Sequence, residues 1–585
     1  MDPTNRNTAL ASAMVEELAR CGVRRAVVSP GSRSTPLAVA LWRHPAIAVD
    51  VILDERSAGF VALGIALASR VPAAVLCTSG SAAANLHPAV VEADEASVPM
   101  IVLTADRPPE LRDIGAGQAI DQLKLYGQSP RWFCEVGTHE ADDDGLLHFR
   151  SVACRAFAAA AGDPRPGPVH LNLPWREPLA PNPVEGDITA TDPLALEGRG
   201  ERPLTAVAGS SAVPSTEQAE RICELIAAEP RGLIVAGRHT DPGLAEPMVR
   251  LAAAARYPIL AEPLSQLRLG PHDRSRVVSS YDLLARGSPA QLEPRLVIRV
   301  GDMPTSKPLR QWLARIEGLR QIVVESGGDW REPTRRAETV VRADPGALAA
   351  RLSELLADRG REDEDGAEEF STTWTTADRK ARAAVEAEIE GLDELTEPGA
   401  WLALGSQLRD GDAVLAASSM PVRDLESFLP SAHPRVRFFS NRGANGIDGL
   451  VSTAAGIARA SGERTWAVLG DLALAHDIGG LAAARAVENL RLLILDNGGG
   501  GIFHFLPQAQ VLGEEEFEAL LGTPSGLDLA AAADLFGLSS TRPASSDQLR
   551  EALASEARMV VVGIDRRRNH EIHQRLAGQV AAALA

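Results

Sequence analysis

Hydrophobic and polar residues follow two alternating patterns along most of the chain. Residues 9–20 repeat apolar side chains at helical spacing and stop at Gly22, and residues 25–29 then form a short β-rich run that ends at a Pro-Gly pair. The following segments continue the alternation, with predicted helices at 57–69 and 81–95 and predicted strands at 47–53, 73–77, 100–104 and 169–173. Strands and helices that alternate at this spacing predict a doubly wound parallel sheet.

The same pattern returns twice further along the chain. The predicted strands of a central segment occupy residues 232–236, 258–260, 296–300, 321–325 and 339–341. Those of the last segment occupy residues 413–417, 436–440, 465–469, 492–495 and 559–564. The predicted fold class is therefore α/β, with three doubly wound parallel-sheet domains.

Two stretches without periodicity set the predicted domain boundaries. Residues 178–214 are rich in Pro, Gly, Ala and acidic residues, and residues 358–366 form an acidic run. The chain of 585 residues is long enough for three or four domains of roughly 150 residues. We predict a first domain at 1–185, a linker at 186–215, a central domain at 216–358, an acidic linker at 359–372 and a last domain at 373–585.

Composition excludes several classes of protein. Hydrophobic residues make up 45% of the chain and charged residues 23%, which is typical of globular proteins and not of disordered or fibrous ones. The formal net charge of −19 disfavours nucleic acid as a partner, because binding to a phosphate backbone needs a broad basic surface. No apolar stretch approaches 18 residues, so we expect no membrane insertion.

The cysteines indicate the compartment. There are five, which is an odd number, and none forms a C-x-x-C pair, so neither a disulfide framework nor a zinc site is predicted. The first residues carry no apolar run of the signal-peptide type. We therefore expect reduced thiols in a cytoplasmic protein.

The strongest chemical signal follows two predicted strands of the last domain. Gly470-Asp471 comes after one strand, and Asn497 comes after the next and begins a run of glycines at 498–501. The interval of 26 residues accommodates one crossover helix, so both side chains should emerge at the same edge of adjacent parallel strands. Carboxylate and amide oxygens suit Mg²⁺, and the glycines let the backbone approach a diphosphate closely.

This pair resembles the signature of thiamine diphosphate enzymes, although Asp496 replaces the first of two usual asparagines and Leu472 a usual glycine. The resemblance implies that the cofactor is thiamine diphosphate with Mg²⁺ or Mn²⁺. It also implies that the metal ligands are Asp471, Asn497 and the carbonyl of Gly499, with Gly470 and Ile502 beside the cofactor.

A second carboxylate completes the resemblance to these enzymes. Glu55 follows a predicted strand and begins a predicted helix. By the resemblance, Glu55 is the catalytic acid that shares a proton with the aminopyrimidine ring and so activates the cofactor.

Further motifs at strand ends narrow the family. They occupy residues 29–37, 104–111, 116–122, 418–424 and 440–449, together with Gly501-Ile502-Phe503. Jointly they resemble the 2-succinyl-5-enolpyruvyl-6-hydroxy-3-cyclohexene-1-carboxylate synthases of menaquinone biosynthesis, and the resemblance spans residues 8–570. It implies decarboxylation of 2-oxoglutarate and conjugate addition of the resulting succinyl carbanion to isochorismate.

The substrates of that family are carboxylates, which arginine binds with two parallel hydrogen bonds. Lys307 is also notable, because only three of the 59 cationic residues are lysines. Gly117 stands where the family often has Asn. The resemblance implies that Ile447 wedges the cofactor into a bent conformation, that Phe503 and Leu506 border the site, and that substrate contacts come from Ser32, Arg33, Arg107, Gln118, Lys307, Ser419, Arg423 and Arg442.

The resemblance also implies a homo-oligomer, a dimer or tetramer, whose active site lies between subunits. Two alternatives remain open at this point. One is an acetolactate-synthase-like enzyme or another 2-oxoacid decarboxylase or carboligase, but small apolar oxoacids would not require Arg33, Arg107, Arg423 and Lys307. The other is a non-catalytic nucleotide-binding regulatory protein, for which the first strand lacks a following Gly-x-Gly-x-x-Gly.

Overall fold

The computed structural model describes residues 2–162, 165–209, 212–328, 330–359, 366–392 and 394–584. The chain divides into two compact units. The first comprises Met1–Ser210, Asn441–Gly462 and His476–Asn489, and the second comprises Ser211–Ser440, Glu463–Ala475 and Leu490–Ala585.

Eighteen strands form three sheets within the described residues. The first sheet contains β1 (Arg25–Val28), β2 (Ala48–Val51), β3 (Ala73–Cys77), β4 (Met100–Asp106), β5 (Trp132–Glu135) and β6 (Pro168–Pro174). The second contains β7 (Gly232–Ala236), β8 (Ile259–Ala261), β9 (Val277–Val278), β10 (Leu296–Val300), β11 (Arg320–Glu325) and β12 (Thr339–Arg342). The third contains β13 (Ala413–Ala416), β14 (Arg437–Phe439), β15 (Thr465–Gly470), β16 (Leu490–Asp496), β17 (Ser540–Thr541) and β18 (Met559–Gly563).

Helices connect these strands throughout the described residues. They are α1 (Arg6–Cys21), α2 (Thr35–Arg43), α3 (Glu55–Ser69), α4 (Ser81–Asn85), α5 (His87–Glu95), α6 (Asp143–Ala160), α7 (Pro193–Glu197), α8 (Thr216–Ala228), α9 (Ala245–Ala255), α10 (Tyr281–Gly287), α11 (Lys307–Arg315), α12 (Pro345–Arg359), α13 (Ala367–Glu390), α14 (Glu397–Gln407), α15 (Met420–Phe428), α16 (Leu450–Ser461), α17 (Asp471–His476), α18 (Gly480–Arg485), α19 (Gln508–Val511), α20 (Glu514–Phe517), α21 (Leu529–Leu535), α22 (Ser546–Ala554) and α23 (Arg566–Leu584). Short 3₁₀ turns occupy Pro109–Leu111, Pro242–Leu244, Pro263–Ser265, Ala290–Leu292 and Gly501–Phe505, and a π turn occupies Glu518–Gly522.

All strand pairs in the three sheets are parallel. The first and third sheets share one order, β2-β1-β3-β4-β6-β5 and β14-β13-β15-β16-β18-β17, whereas the second has the order β12-β11-β10-β7-β8-β9. The predicted fold class is confirmed. Because parallel strands end at one edge of the sheet, the loops after β15 and β16 are neighbours: Gly470 pairs with Leu495.

The first unit contains a close crossing of two helices. A Cβ atom at Gly64 of α3 would lie 2.0 Å from the carbonyl oxygen of Thr453 in α16, and one at Gly456 would lie 2.1 Å from the carbonyl oxygen of Val61. Glycine at both positions therefore lets the two backbones touch. This contact ties α3, which begins at Glu55, to the helix that follows the Ile447 loop.

The structure corrects some predicted boundaries. The helix predicted at 81–95 is two helices that meet at Leu86, because Pro88 cannot continue the hydrogen-bond ladder of α4. Residues 360–365 of the predicted acidic linker lie outside the described residues, and helix α13 already begins at Ala367, before the predicted linker end at 372. The domain boundaries stay predictions. Among the described residues, no helix combines the length and the apolar composition that a bilayer crossing requires.

Candidate active site

Asp471 and the glycine turn after β16 form the centre of the second unit's site. Asp471 directly follows β15 and is buried. The backbone N–H groups of Leu472 and Gly499 lie near enough to its carboxylate to favour the ionised form. The two strand-end segments are therefore in direct contact, as the interval between them predicts.

Asn497 presents an unsatisfied oxygen at the same place. Its Nδ2 donates to Oε1 of Glu397 at 2.8 Å, whereas its buried Oδ1 accepts no hydrogen bond from the described residues. A buried acceptor without a partner costs about 1–3 kcal/mol, so this oxygen is suited to a ligand that supplies positive charge. With the Asp471 carboxylate it provides the hard oxygen donors that Mg²⁺ prefers.

The backbone of the turn requires glycine. Gly499 has φ +138°, and a Cβ atom there would lie 2.1 Å from the carbonyl oxygen of Gly522. Gly500 donates its N–H to that same carbonyl at 2.7 Å. A Cβ atom at Gly501 would lie 2.5 Å from Nδ2 of Asn497. The turn is therefore packed against the side chain of Asn497 on one side and the 522 backbone on the other.

Negative charge is concentrated at this edge of the sheet. Burial, followed by the nearby carboxylate of Asp496, raises the pKa of Asp471 to about 7. Asp496 itself accepts a hydrogen bond from Arg542 at 2.7 Å. A divalent cation bound here would favour the ionised form of Asp471, because an opposite charge offsets both the burial and the repulsion.

Behind Asn497 lies a buried polar network that the sequence analysis missed. Oε2 of Glu397 accepts a hydrogen bond from Nδ2 of Asn569 at 3.0 Å. His573 donates through Nδ1 to the carbonyl of Asn569 at 2.8 Å, and its Nε2 lies 2.9 Å from Oδ1 of Asp424. Burial and the charge of Asp424 raise the pKa of Glu397 to about 8, and burial raises that of Asp424 to about 7 and lowers that of His573. The only signal in the sequence is that Asp424 follows Arg423 in a strand-end motif.

Ser419, Arg423 and Lys307 lie at or near the N-terminal ends of two helices of the second unit. Ser419 has φ +75° at the start of α15, an unfavourable backbone conformation for a residue with a side chain, and its carbonyl accepts a hydrogen bond from the Arg423 guanidinium. Burial lowers the pKa of Arg423. The exposed Lys307 begins α11. Asp282 links the two helices, because it accepts hydrogen bonds from Ser306 at 2.6 Å and from Ser427 at 2.8 Å.

The predicted hydrophobic residues Ile502, Phe503 and Leu506 lie in or directly after the 3₁₀ turn Gly501–Phe505 and are half-buried. A Cβ atom at Gly500 would lie 2.6 Å from the ring of Phe503. The aromatic ring therefore packs on the glycine turn. Gly470, the last residue of β15, has open space within 4 Å of where a Cβ atom would stand.

Two arginines of the first unit lie close to each other at strand ends. Arg33 donates to the carbonyl of Trp175 at 2.8 Å, and burial together with the charge of Arg107 lowers its pKa. Arg107 donates to Oγ of Ser79 at 2.7 Å. Two guanidinium groups held together in this way favour an anionic ligand. Ser32, which precedes Arg33, is exposed.

Gln118 lies against the same serine. It adopts φ +59°, its Nε2 donates to the Ser79 carbonyl at 2.9 Å, and its own carbonyl accepts from Ser79 Oγ at 2.9 Å. Ser79 therefore joins Gln118 to Arg107. No atom of the described residues lies within 4 Å of a Cβ atom built on Gly117, so a side chain at this position would extend away from them.

Glu55 begins α3, which Asp54 caps by accepting the N–H groups of Arg56 and Ser57. The carboxylate of Glu55 is half-buried and accepts a hydrogen bond from Asn85 at 3.5 Å. This contact is long, so the carboxylate remains able to bind another partner.

Arg442 and Ile447 lie on the loop that leads into α16 and are half-buried. The carboxylate of Glu92 holds this loop by accepting the N–H groups of Gly443 at 2.8 Å and Ala444 at 2.7 Å. The structure thus places the predicted residues in separate groups on two units, and the roles of individual residues stay predictions.

Comparison with known proteins identifies the family. Residues 8–125 match a family model described as thiamine pyrophosphate enzyme, N-terminal TPP binding domain. A 2-succinyl-5-enolpyruvyl-6-hydroxy-3-cyclohexene-1-carboxylate synthase of Geobacillus kaustophilus is 43% identical over 98% of this chain and 98% of its own. A protein of the same name from Chloroflexus aurantiacus is 43% identical to this chain, over 93% of this chain and 90% of its own. Another from Halobacterium salinarum is 41% identical, over 99% of both chains.

The chain belongs to the 2-succinyl-5-enolpyruvyl-6-hydroxy-3-cyclohexene-1-carboxylate synthase family. The predicted family is confirmed, and with it the prediction of a thiamine diphosphate enzyme of menaquinone biosynthesis. Membership of this synthase family supports the main prediction over the acetolactate-synthase-like enzyme and the regulatory protein.

Proposed function

We propose that the protein condenses 2-oxoglutarate with isochorismate, with loss of CO₂, to give 2-succinyl-5-enolpyruvyl-6-hydroxy-3-cyclohexene-1-carboxylate. The single observation that carries this proposal is the buried, unsatisfied Oδ1 of Asn497 beside the Asp471 carboxylate and a glycine turn, in a chain of this synthase family. An oxygen-lined cradle of this kind fits a divalent cation that carries a diphosphate.

In this proposal Asp471, Asn497 and the carbonyl of Gly499 hold Mg²⁺ or Mn²⁺, and Gly470 and Ile502 lie beside thiamine diphosphate. Thiamine diphosphate, when bound, supplies the carbon nucleophile and accepts the electron pair released by decarboxylation. The glycine turn contributes backbone that can approach a diphosphate without steric hindrance. Ile447 supports the bent conformation of the cofactor.

Glu55 is the proposed proton-transfer residue. A carboxyl group held at the start of a helix, with one weak hydrogen bond of 3.5 Å from the described residues, can bind a ring nitrogen and exchange a proton with it. Its half-buried position limits competition from water.

The cationic groups bind the substrate carboxylates in this proposal. Arg33 and Arg107, joined through Ser79 to Gln118, form one group with the exposed Ser32. Lys307, Ser419 and Arg423 form another, and Arg442 contributes from the loop before α16. Phe503 and Leu506 border the site and exclude water from it.

We further propose that the active site forms between two subunits of a homodimer or of a tetramer built from such dimers. The residues that precede Glu55 support this proposal, because Leu53 is 84% exposed and Val51 is 58% exposed. Exposed aliphatic side chains beside a catalytic group are suited to burial in an interface. The five cysteines are free, which supports a reducing, cytoplasmic location.

The experiment that tests this function is incubation of the purified protein with thiamine diphosphate, Mg²⁺, 2-oxoglutarate and isochorismate, followed by mass spectrometry. We expect the succinylated adduct and CO₂. Pyruvate in place of 2-oxoglutarate is the matched control, since an acetolactate-synthase-like enzyme would use it. Turnover of pyruvate without the succinylated adduct would contradict the proposed substrates while leaving the cofactor class intact.

A further inference from the structure

The side-chain amide of Asn497 has two possible orientations. The two ends of a carboxamide have nearly the same shape but opposite hydrogen-bonding character, because the oxygen accepts and the NH₂ group donates. Only the oxygen can bind a cation. A rotation of about 180° around the last side-chain bond would direct Nδ2 towards the metal instead, so some neighbouring group has to fix the amide.

Glu397 is the group that contacts the nitrogen end. Its Oε1 accepts a hydrogen bond from Nδ2 of Asn497 at 2.8 Å, and the opposite end, Oδ1, has no partner among the described residues. A carboxyl oxygen that carries no proton can only accept, so Oε1 in this form is compatible with one orientation of the amide only. The rotated amide would bring two oxygens together and leave the NH₂ group at the cation position.

Glu397 is itself immobilised. The residue is buried at the first position of α14, where Thr396 caps the helix. Asn569 makes two reciprocal hydrogen bonds to it: its Nδ2 donates to Oε2 at 3.0 Å, and its Oδ1 accepts the Glu397 backbone N–H at 3.2 Å. The carboxyl group therefore cannot turn away from Asn497 without breaking a buried contact.

The network of Glu397, Asp424 and His573 could in principle hold a metal ion of its own, because their ligand atoms lie within 4.8 Å of one another. The contacts favour a hydrogen-bonded network instead. Both oxygens of Glu397 accept amide N–H groups, Nε2 of His573 lies at hydrogen-bond distance from Asp424, and Nδ1 donates to a carbonyl. An ion would have to displace these hydrogen bonds.

We propose that Glu397 is a positioning residue that fixes the carboxamide of Asn497 with Oδ1 towards the catalytic cation. This inference rests on the proposed function, since it assumes that Asn497 binds the metal. It assigns to Glu397 a role in cofactor retention without contact to the cofactor.

The first test measures the Mg²⁺-dependent binding of thiamine diphosphate to Glu397→Gln by calorimetry. A glutamine can offer an oxygen to only one of its two amide neighbours, so the orientation of Asn497 is no longer fixed. We expect affinity to fall about tenfold or more, as for other residues that orient metal ligands. Unchanged affinity would overturn the inference.

The second test repeats the substitution in an Asn497→Asp background. A carboxylate presents oxygen in either orientation, and the introduced glutamine can donate to it, so Glu397→Gln should now reduce affinity less than about threefold. This cycle separates orientation from a general structural effect. An equal loss in both backgrounds would show that Glu397 only supports the fold.

If Asn497→Asp alone fails to bind the cofactor, a third variant tests the inference by exchanging the carboxylate and the amide between positions 397 and 569. In Glu397→Gln with Asn569→Asp, the new carboxylate accepts from the NH₂ group of the introduced glutamine, whose oxygen then faces Asn497. We expect affinity to return to within about threefold of the wild type. Failure of this rescue would overturn the inference.

Two controls complete the design. Asp412 lies directly before β13, at the opposite edge of the same sheet, and its buried carboxylate pairs with Arg464. Asp412→Asn should therefore not change cofactor affinity. The wild type and Asp471→Asn test the proposed function separately. If the wild type binds no thiamine diphosphate, the proposed function fails, whereas loss in Asp471→Asn without loss in Glu397→Gln refutes only this inference.

Discussion

A single buried carboxylate, Asp477, replaces the missing cap of α16. The N-cap of this helix is Gly449, which has no side chain to accept the first N–H groups. Asp477 accepts the Ser452 N–H at 2.8 Å and the Ser452 hydroxyl at 3.1 Å. A cap from a distant residue ties α16 to the segment before α18, and it does so at the expense of a buried charge.

We predict that Asp477 makes stability depend on pH. Burial raises its pKa from 3.8 to about 6, so the folded state favours the protonated form. The contribution of Asp477 to the free energy of unfolding is fully present below about pH 3.8, where the side chain is protonated. It is lost as the pH rises through about 6, a change of about 3 kcal/mol at most. Asp477→Asn should therefore remove that part of the decline in denaturant midpoint between pH 4.5 and 7. A variant whose pH profile parallels that of the wild type would contradict this assignment.

Asp471→Asn should separate cofactor binding from folding. The amide keeps the shape of the side chain but removes a charge from the cation site, so we expect Mg²⁺-dependent affinity for thiamine diphosphate to fall about a hundredfold. The thermal midpoint of the cofactor-free protein should not decrease, because the substitution also removes repulsion from Asp496. Calorimetry and thermal unfolding measure the two effects. Unchanged cofactor affinity would refute the assignment of Asp471 as a ligand.

The contact between Asp471 and the glycine turn could be predicted because it needs only local information. The chain interval fixes adjacent parallel strands, and such strands end at one edge. Glu397 and Asn569, by contrast, contact each other across 172 positions of the chain. In the sequence Glu397 looks like an ordinary acidic residue in the first turn of a helix, and only its burial shows that it belongs to a network.

Among the elements, the three strands that the sequence pattern did not predict all lie at an edge of their sheet. β5, β9 and β17 are each the last strand of their sheet. β9 and β17 have only two residues, and β5 is half-buried throughout. Central strands such as β3 and β4 are buried on both faces and form continuous apolar runs, whereas short edge strands leave almost no pattern to detect.

The crossing of α3 and α16 leads to a prediction about Gly64. An added methyl group would overlap the Thr453 carbonyl, which is backbone and cannot move alone. Gly64→Ala should therefore destabilise the protein by about 1–3 kcal/mol, and the helix that begins at Glu55 should shift. Guanidinium denaturation measures the loss.

Gly578 of α23 is the matched control for this substitution. A Cβ atom there would have no neighbour within 4 Å in the described part of the chain, so Gly578→Ala should stabilise the protein by about 0.5–1 kcal/mol through the higher helix propensity of alanine. Equal effects of the two substitutions would show that the backbones of α3 and α16 do not touch at Gly64.

At the scale of the whole molecule, the net charge of −19 coexists with cationic groups suited to carboxylates. Arg33 and Arg107 act over a few ångströms, whereas charges elsewhere on the surface are screened beyond about 10 Å. The local field at a strand end can therefore be positive in an acidic protein. The net charge disfavoured anionic polymers as partners but gave no information on small anions, which only the strand-end motifs indicated.

The proposed site between subunits predicts complementation of two inactive variants. Glu55→Gln and Asp471→Ala would each inactivate a homodimer. If Glu55 of one subunit serves the cation site of the other, a mixed dimer contains one site with both substitutions and one intact site. Tandem affinity tags on co-expressed chains isolate that dimer, and we expect about half of the wild-type activity from it because a two-fold dimer has two equivalent sites.

A reciprocal pairing provides the decisive control for this arrangement. In a mixed dimer of the wild type and a chain carrying both substitutions, a site shared between subunits always contains one altered residue, so no activity is expected. A site formed within one chain predicts the reverse of both results, with an inactive first dimer and about half activity in the second. Both dimers carry the same two substitutions. Any difference between their activities therefore reports only whether Glu55 and Asp471 act from the same chain or from different chains.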